Sequence, residues 1–541
     1  MPAPSLDEVS ALLRQAQPAA AITACEQLTV ARPTFVDGWL LLSRCYQQLS
    51  QFENMRRAAQ SAYTLAPTAM AVSQRLIECH IYCGDMALAL PAIADAEAAL
   101  LTTPAIDDTI SLVETQAAGL QQLAQLYSHC AAHKDANRCY RTACALQPDH
   151  PAYRYNLAAS QLAVGDLTGA ETSLDCCLKL TPHDYDARYL RSTLRRQSAE
   201  QNHIAELEAL LANPRLSHQG AIALNYALGK EREDIGDHAL AFQAIHHAAQ
   251  SRRQRLNYRV ETDLAAMAAI AAAFDASRFA TPKTNATHPV TPIFVLGLPR
   301  SGTTLVDRIL CSHSEVDSLG EINDLAFAVI RSVGRSVGHS ANKLDLIKRS
   351  AETDHDRVGQ EYRRSTAGYG RTARWLVDKT PLNFLYLGLI HLALPDAKIV
   401  HLRRHPLDSC YAMYKTLFRM GYPFSYDFDD MARYFAGYQR LMTHWRTVLP
   451  NSFLDLDYEQ LVSEQQPSSQ RLLAHCALEW QAGCLNFHRN ERPAATASAA
   501  QVRQPLHQRS VQHWKHYRAE LAPLATALRN QGVELPEWDL S

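Results

Sequence analysis

The stretch Ile293–His313, IFVLGLPRSGTTLVDRILCSH, decides the fold of the C-terminal half. A short apolar, β-branched run leads into a loop with glycines at 297 and 302, and Leu305, Val306, Ile309 and Leu310 then recur at helical spacing. The pattern reads as strand, loop and helix, the opening unit of an α/β domain built on a central parallel sheet. Gly297 and Gly302 stand five apart and precede Thr303 and Thr304, so the spacing copies the nucleotide loop GxxxxGK[ST] with Thr303 in place of its lysine. Loop amides and the positive end of a helix cradle a phosphate without a lysine. A nucleoside triphosphate, however, loses its usual β/γ-phosphate clamp, which disfavours ATP hydrolysis.

Immediately upstream, RFATPKTNATHPVTP (278–292) is rich in Pro and Thr and breaks the helical period. We place a linker at 276–292, between a domain over 1–275 and another over 293–541. The first of these repeats itself. Pro33 and Pro67 are 34 residues apart, as are Pro148 and Pro182, each ending a stretch dense in Ala and Leu. In the unit closing at Pro67, Trp39, Leu42, Tyr46 and Ala62 take the apolar positions of two helices, while Ser43, Met55 and Ala59 depart from the pattern. The unit closing at Pro148 places Leu123, Ala124, Tyr127, Ala136, Tyr140 and Ala143 there, and the next places Leu157, Ala158, Ala170 and Leu174. Residues 222–249 fit again through Leu228, Gly229, Ala241, Phe242 and Ala248. This part resembles a tetratricopeptide array over about residues 10 to 250. The resemblance implies antiparallel helix pairs, held close by small residues and stacked into a groove that holds a protein or peptide.

Composition narrows the class. The 541 residues are 47% hydrophobic and 20% charged, with 53 basic against 55 acidic side chains and a net charge of -2, which excludes a polybasic nucleic-acid binder. We expect no transmembrane segment, because no apolar run reaches the length of a bilayer crossing, and no leader at MPAPSLDEVSALLRQ. The 13 cysteines form no CxxC pair, and read as buried thiols of a cytoplasmic protein. His475, His488, His507, His513 and His516 do not repeat a zinc spacing, so we expect no metal.

PRSGTT after a strand resembles the 5′-phosphosulfate loop of sulfotransferases, enzymes that use 3′-phosphoadenosine-5′-phosphosulfate (PAPS) and release PAP. Further segments follow in that family's order over about 292–525. LGEIND (319–324) resembles the segment carrying the base of tyrosylprotein sulfotransferases, and VDKTPLN (377–383) follows a strand-like WLVD. DAKIVHLRRHPLDS (396–409) runs into an Arg-x-Pro-x-Asp signature, NSFLDLDYEQLV (451–462) carries the YExL segment, and SAAQVRQPLHQRSVQHWKHY (498–517) looks like the segment that closes over the cofactor. The fold this implies is an α-helical tetratricopeptide array followed by an α/β, P-loop-like sulfotransferase domain.

The resemblance also implies roles. Pro299, Arg300, Ser301, Gly302, Thr303 and Thr304 would hold the phosphosulfate. Arg404 would hold the 3′-phosphate with Arg403 beside it, and Glu321 would take the acceptor proton while Lys379 neutralises the leaving oxygen. Ser498 would be a further catalytic hydroxyl and Arg503 a second cofactor contact, whereas Trp514 and Tyr517 read as core. The family's 3′-phosphate serine, eight residues beyond the arginine, is Ala412 here, so either Ser409 or Tyr411 would substitute or PAPS would bind more weakly. The expected reaction is sulfuryl transfer to an acceptor hydroxyl on a protein or peptide, tyrosine included. Acceptor choice would lie in 322–373 and 415–445, and a homodimer is left open. In the alternative, a weak or inactive sulfotransferase-like domain serves a protein-binding scaffold, with Ala412 its best support; a nucleotide kinase is disfavoured by Thr303.

Overall fold

The computed structural model describes residues 4–15, 17–102, 109–280, 288–334, 342–419 and 421–536. Helices joined by short turns come first. They are α1 (Leu6–Arg14) and α2 (Pro18–Ala31), α3 (Val36–Gln48) and α4 (Phe52–Leu65), α5 (Met70–Tyr82) and α6 (Met86–Thr102), and α7 (Thr109–His129) and α8 (His133–Leu146). The series continues with α9 (Pro151–Val164) and α10 (Leu167–Leu180), α11 (Tyr185–Thr193) and α12 (Ile204–Leu211), α13 (His218–Ile235) and α14 (His238–Arg253), then α15 (Val260–Ala273).

The four periodic prolines share one job. Six residues beyond each, a side chain donates to the proline's carbonyl: Trp39 Nε1 to Pro33 at 2.8 Å, Ser73 Oγ to Pro67 at 3.3 Å, Arg154 Nε to Pro148 at 2.9 Å and Arg188 Nη2 to Pro182 at 2.8 Å. A carbonyl just past a helix end has lost its intrahelical partner, so the next helix supplies one from its first turns. Small residues sit where helices meet: Ala124, Ala136, Ala143, Ala158 and Ala170 are buried. A Cβ on Gly229 of α13 would lie 2.5 Å from Ile245 of α14, so only glycine permits that approach. The departure at Ser43 has its own reason. Its hydroxyl donates to the Met55 carbonyl at 2.9 Å and accepts from the buried Arg75 at 2.8 Å.

The chain divides into two compact units. One comprises Met1–Gln147, Ile322–Thr372 and Leu392–Leu394, and the other Pro148–Glu321, Ala373–His391 and Pro395–Ser541. This grouping does not follow the expected division at 276–292: α9 to α15 are grouped with the sheet. Of that linker, residues 281–287 lie outside the described residues. In the first unit the later insertion folds as α17 (Asp324–Gly334), α18 (Lys343–Ser350) and α19 (His355–Ala367). Arg331 there pairs with Glu361 at 2.7 Å and donates to the Tyr82 carbonyl at 3.0 Å.

The second unit holds a five-stranded sheet of β1 (Thr291–Gly297), β2 (Val316–Gly320), β3 (Trp375–Asp378), β4 (Lys398–Arg403) and β5 (Leu454–Asp457), in the order β2-β3-β1-β4-β5. Every pairing is parallel. Central β1 is buried from Pro292 to Gly297, which explains its unbroken apolar run. Ile293, Val295, Val400 and Leu456 from the sheet join Val306 and Ile309 of α16 (Thr303–Leu310) in one core. Around it lie α20 (Leu387–Ala393), α21 (Pro406–Tyr414) and α22 (Phe428–Val448).

Candidate functional site

In a parallel sheet all carboxyl ends face one edge, so the segments that follow β1 to β5 converge there. Chain order leaves β1 to build β2 and β3 on one side and β4 and β5 on the other. The loops after β1 and β4 therefore flank the reversal point, where such sheets bind nucleotides. Between β1 and α16 the backbone turns sharply, with Arg300 at φ 63° and Gly302 at φ 107°. A Cβ on Gly302 would stand 2.6 Å from the Tyr458 ring, so the turn demands glycine there. Arg300 carries the left-handed strain despite its side chain, a cost found where function needs the geometry.

Arg404, just beyond β4, reaches back to this turn. Its Nη1 donates to the Arg300 carbonyl at 2.9 Å, its Nη2 donates to the Ser510 carbonyl at 2.5 Å, and its guanidinium lies 4.8 Å from the Tyr458 ring centroid. Arg300 donates to Ser498 Oγ, and to Gln501 Oε1 at 3.0 Å. Among the described residues neither arginine has a carboxylate partner, and the Nε of each, like Ser301 Oγ, is buried without a hydrogen bond. Burial, with Arg404 close by, pulls the Arg300 guanidinium below its ordinary value. Two unneutralised guanidiniums and a buried orphan hydroxyl beside a helix N-terminus suit a multiply charged anion.

Glu321 and Lys379 meet as an ion pair at the carboxyl ends of β2 and β3. Lys379 is 1% exposed against 40% for Glu321, so the carboxylate is the member open to an incoming group. A cavity of about 490 Å³ opens beside the turn, lined among others by Arg300, Gly302, Thr304, Arg404 and Ser498. Glu321, Lys379, Pro299, Ser301 and Thr303 are not in its wall. Asp408, Tyr411, Ala412 and Lys415 are, on one face at i, i+3, i+4 and i+7.

Of the two residues expected to replace the hydroxyl missing at Ala412, Tyr411 lines the cavity, whereas Ser409 is 2% exposed and is not in its wall. Arg503 lies outside the wall as well. Its Nη2 donates to the carbonyls of Ala163 and Arg492 at 3.3 and 3.4 Å, and its guanidinium fills the space beside Gly165 rather than the cavity. Arg509 lines the cavity from the same segment. Trp514 and Tyr517 are fully buried. The segment is pinned to α21 by Asp408, which accepts from the amides of Gln512 at 2.7 Å and Trp514 at 2.9 Å. Sequence reasoning missed Lys415 and the repeat residues Glu233 and Arg196, which also line the cavity. Helical spacing from Asp408 would have found the first, whereas no local pattern marks the other two.

Residues 292–482 match the sulfotransferase family. This region is a sulfotransferase-family domain. Among curated proteins, an uncharacterized protein of Aquifex aeolicus is 31% identical over 360 residues, 63% of this chain and 46% of its own. The chain thus spans just under half the length of that relative. Protein-tyrosine sulfotransferase A of Caenorhabditis elegans is 24% identical over 201 residues, 36% of this chain and 52% of its own. Among solved structures, the sulfotransferase domain from the curacin biosynthetic pathway aligns at 18% identity with a TM-score of 0.33, covering 46% of this chain and all of that one. Outside the sulfotransferase domain, no helix among the described residues is long and apolar enough to cross a membrane, and neither is any within it.

Proposed function

We propose that the chain is a PAPS-dependent sulfotransferase acting on a hydroxyl of a protein or peptide, tyrosine foremost. One observation carries the donor reading: Arg300 and Arg404, joined through the loop carbonyl, face the cavity with no carboxylate partner among the described residues. Ser301, Thr303, Thr304 and the first-turn amides of α16 would hold the 5′-phosphate, and Arg404 the 3′-phosphate. When bound, PAPS supplies the sulfuryl group, its sulfur–oxygen bond to the 5′-phosphate breaking as the acceptor oxygen bonds to sulfur.

Glu321 takes the proton of the attacking hydroxyl, and its ion pair with Lys379 orients the carboxylate. Lys379 and Arg300 offset the charge that gathers on the departing phosphate oxygen. Ser498, already bonded to Arg300, keeps that guanidinium aimed at the cavity. The named tyrosine-specific relative supports a phenolic acceptor, and the 13 free thiols suit the cytoplasm. Ala412 in the cavity wall favours the second reading, a donor-binding domain with weak or no turnover.

Calorimetric titration with PAP, in parallel with ATP, tests the donor. Micromolar PAP binding that vanishes in Arg404→Ala is expected, with ATP weaker. No PAP binding, or tighter ATP binding, would overturn the proposal. PAP binding without transfer to any hydroxyl would mark the second reading.

A further inference from the structure

The later repeat helices are met by the chain itself. Helices α9, α11 and α13 begin three successive pairs, and a tyrosine of each meets the chain between Tyr414, at the end of α21, and Arg419. Tyr155 on α9 lies under the Arg419 guanidinium, 5.2 Å from its ring centroid, and accepts a hydrogen bond from it. Tyr189 on α11 accepts from the Leu417 amide at 3.1 Å. Tyr226 on α13 donates to the Tyr414 carbonyl at 3.1 Å.

Two turns further along α13, Glu233 gathers the rest. It accepts from Tyr411 at 3.0 Å and Lys415 at 2.5 Å, both on the lining face that begins with Asp408, and from Tyr517 of the closing segment at 2.8 Å. His513 Nε2 of that segment lies 3.2 Å away. Burial alone would raise the Glu233 carboxyl, but Lys415 and His513 hold it well below the ordinary value. A single carboxylate thus ties together a repeat helix, the cavity face of α21 and the closing segment, all within one compact unit.

Repeat arrays hold extended partner segments on their concave faces. Here the first helices of three successive pairs already bind the chain's own 414–419. An occupant tethered in the same chain acts at a high effective concentration, so a free peptide competes poorly for the same surface. We propose that α9–α14 are a built-in clamp rather than a peptide receptor, and that Glu233 is a positioning residue that sets Lys415, Tyr411 and the closing segment around the donor cavity. The effect on donor binding rests on the PAPS reading above; the clamp itself does not.

The test uses the full chain as wild type, Glu233→Gln and Glu233→Asp. It measures PAP affinity together with amide hydrogen exchange over 411–430 and 510–517. Glu233→Gln, melting in one cooperative transition, is expected to weaken PAP by at least about tenfold and to speed exchange in both stretches. Glu233→Asp restores most of both. Unchanged affinity and unchanged exchange in Glu233→Gln would overturn the proposal. A wild type that binds no PAP refutes the donor reading alone, and exchange then decides the clamp by itself. Should Glu233→Gln fail to fold, Tyr189→Phe and Tyr226→Phe each remove one clamp hydrogen bond. Faster exchange over 411–430 in either supports the clamp, and unchanged exchange in both overturns it.

Discussion

Ala412 occupies the cavity wall at the place where the resemblance expects a phosphate-binding serine. One hydroxyl on a charged phosphate contributes roughly 1.5 to 3 kcal/mol. Ala412→Ser adds one oxygen at a lining position, so PAP affinity should rise by about tenfold or more in calorimetry; equal or weaker binding would remove the 3′-phosphate from this part of the cavity. Glu321→Gln should leave PAP affinity nearly intact and slow sulfuryl transfer by roughly 100-fold or more. Undiminished transfer would dismiss Glu321 as the base. The places of Arg300, Glu321, Lys379 and Arg404 were legible because each sits within a few residues of a strand end, where local spacing decides position. Arg503 was not: its side chain goes wherever its segment docks, and it docks against the Ala163 carbonyl, 340 positions away in the chain.

At the scale of elements, β4, β5 and α22 are joined by a polar group within the core. His401 Nδ1 lies 2.6 Å from Asp455 Oδ1 and its Nε2 2.5 Å from the Tyr438 hydroxyl, while Arg446 Nε donates to Asp455 Oδ2 at 2.8 Å. Burial pulls His401 below its ordinary value, although Asp455 opposes this. Burial would raise Asp455, but hydrogen bonds from His401 and Arg446 hold it far below the carboxylate range. Both folded values lie below the unfolded ones, so the unfolded chain binds more protons in acid. Stability is therefore lost as pH falls, first below about 6.5 through the histidine and then below about 4 through the carboxylate. Melting temperatures between pH 7.5 and 5 should fall for the wild type and less steeply for His401→Gln; parallel slopes would acquit the histidine. The repeats themselves were legible because a proline period and small-residue spacing are local. The insertion α17–α19 was not: its ion pair between Arg331 and Glu361 spans 30 residues and carries no period.

At the scale of the molecule, the cavity beside the turn after β1 and the helices α9 to α14 lie within one compact unit, and the first four helix pairs within the other. That division makes the two halves of the repeat array answer differently to damage. Leu42 is 3% exposed in the core that α1 to α4 share, so Leu42→Ala should cost about 2–5 kcal/mol. It should nevertheless leave PAP affinity unchanged, because no lining residue lies in that unit. Gly229→Val acts on α13, where even a Cβ would meet Ile245 at 2.5 Å, and it must push α14 away from the helix that carries Glu233. There the expected result is lost stability together with weakened PAP binding. Thermal melts and PAP titrations of both variants separate the cases. If Leu42→Ala weakened PAP as much as Gly229→Val did, the first repeats would have to reach the donor cavity, and the repeat array would act as one body on the site. If only Gly229→Val did so, the later pairs support the cavity and the first four pairs do not.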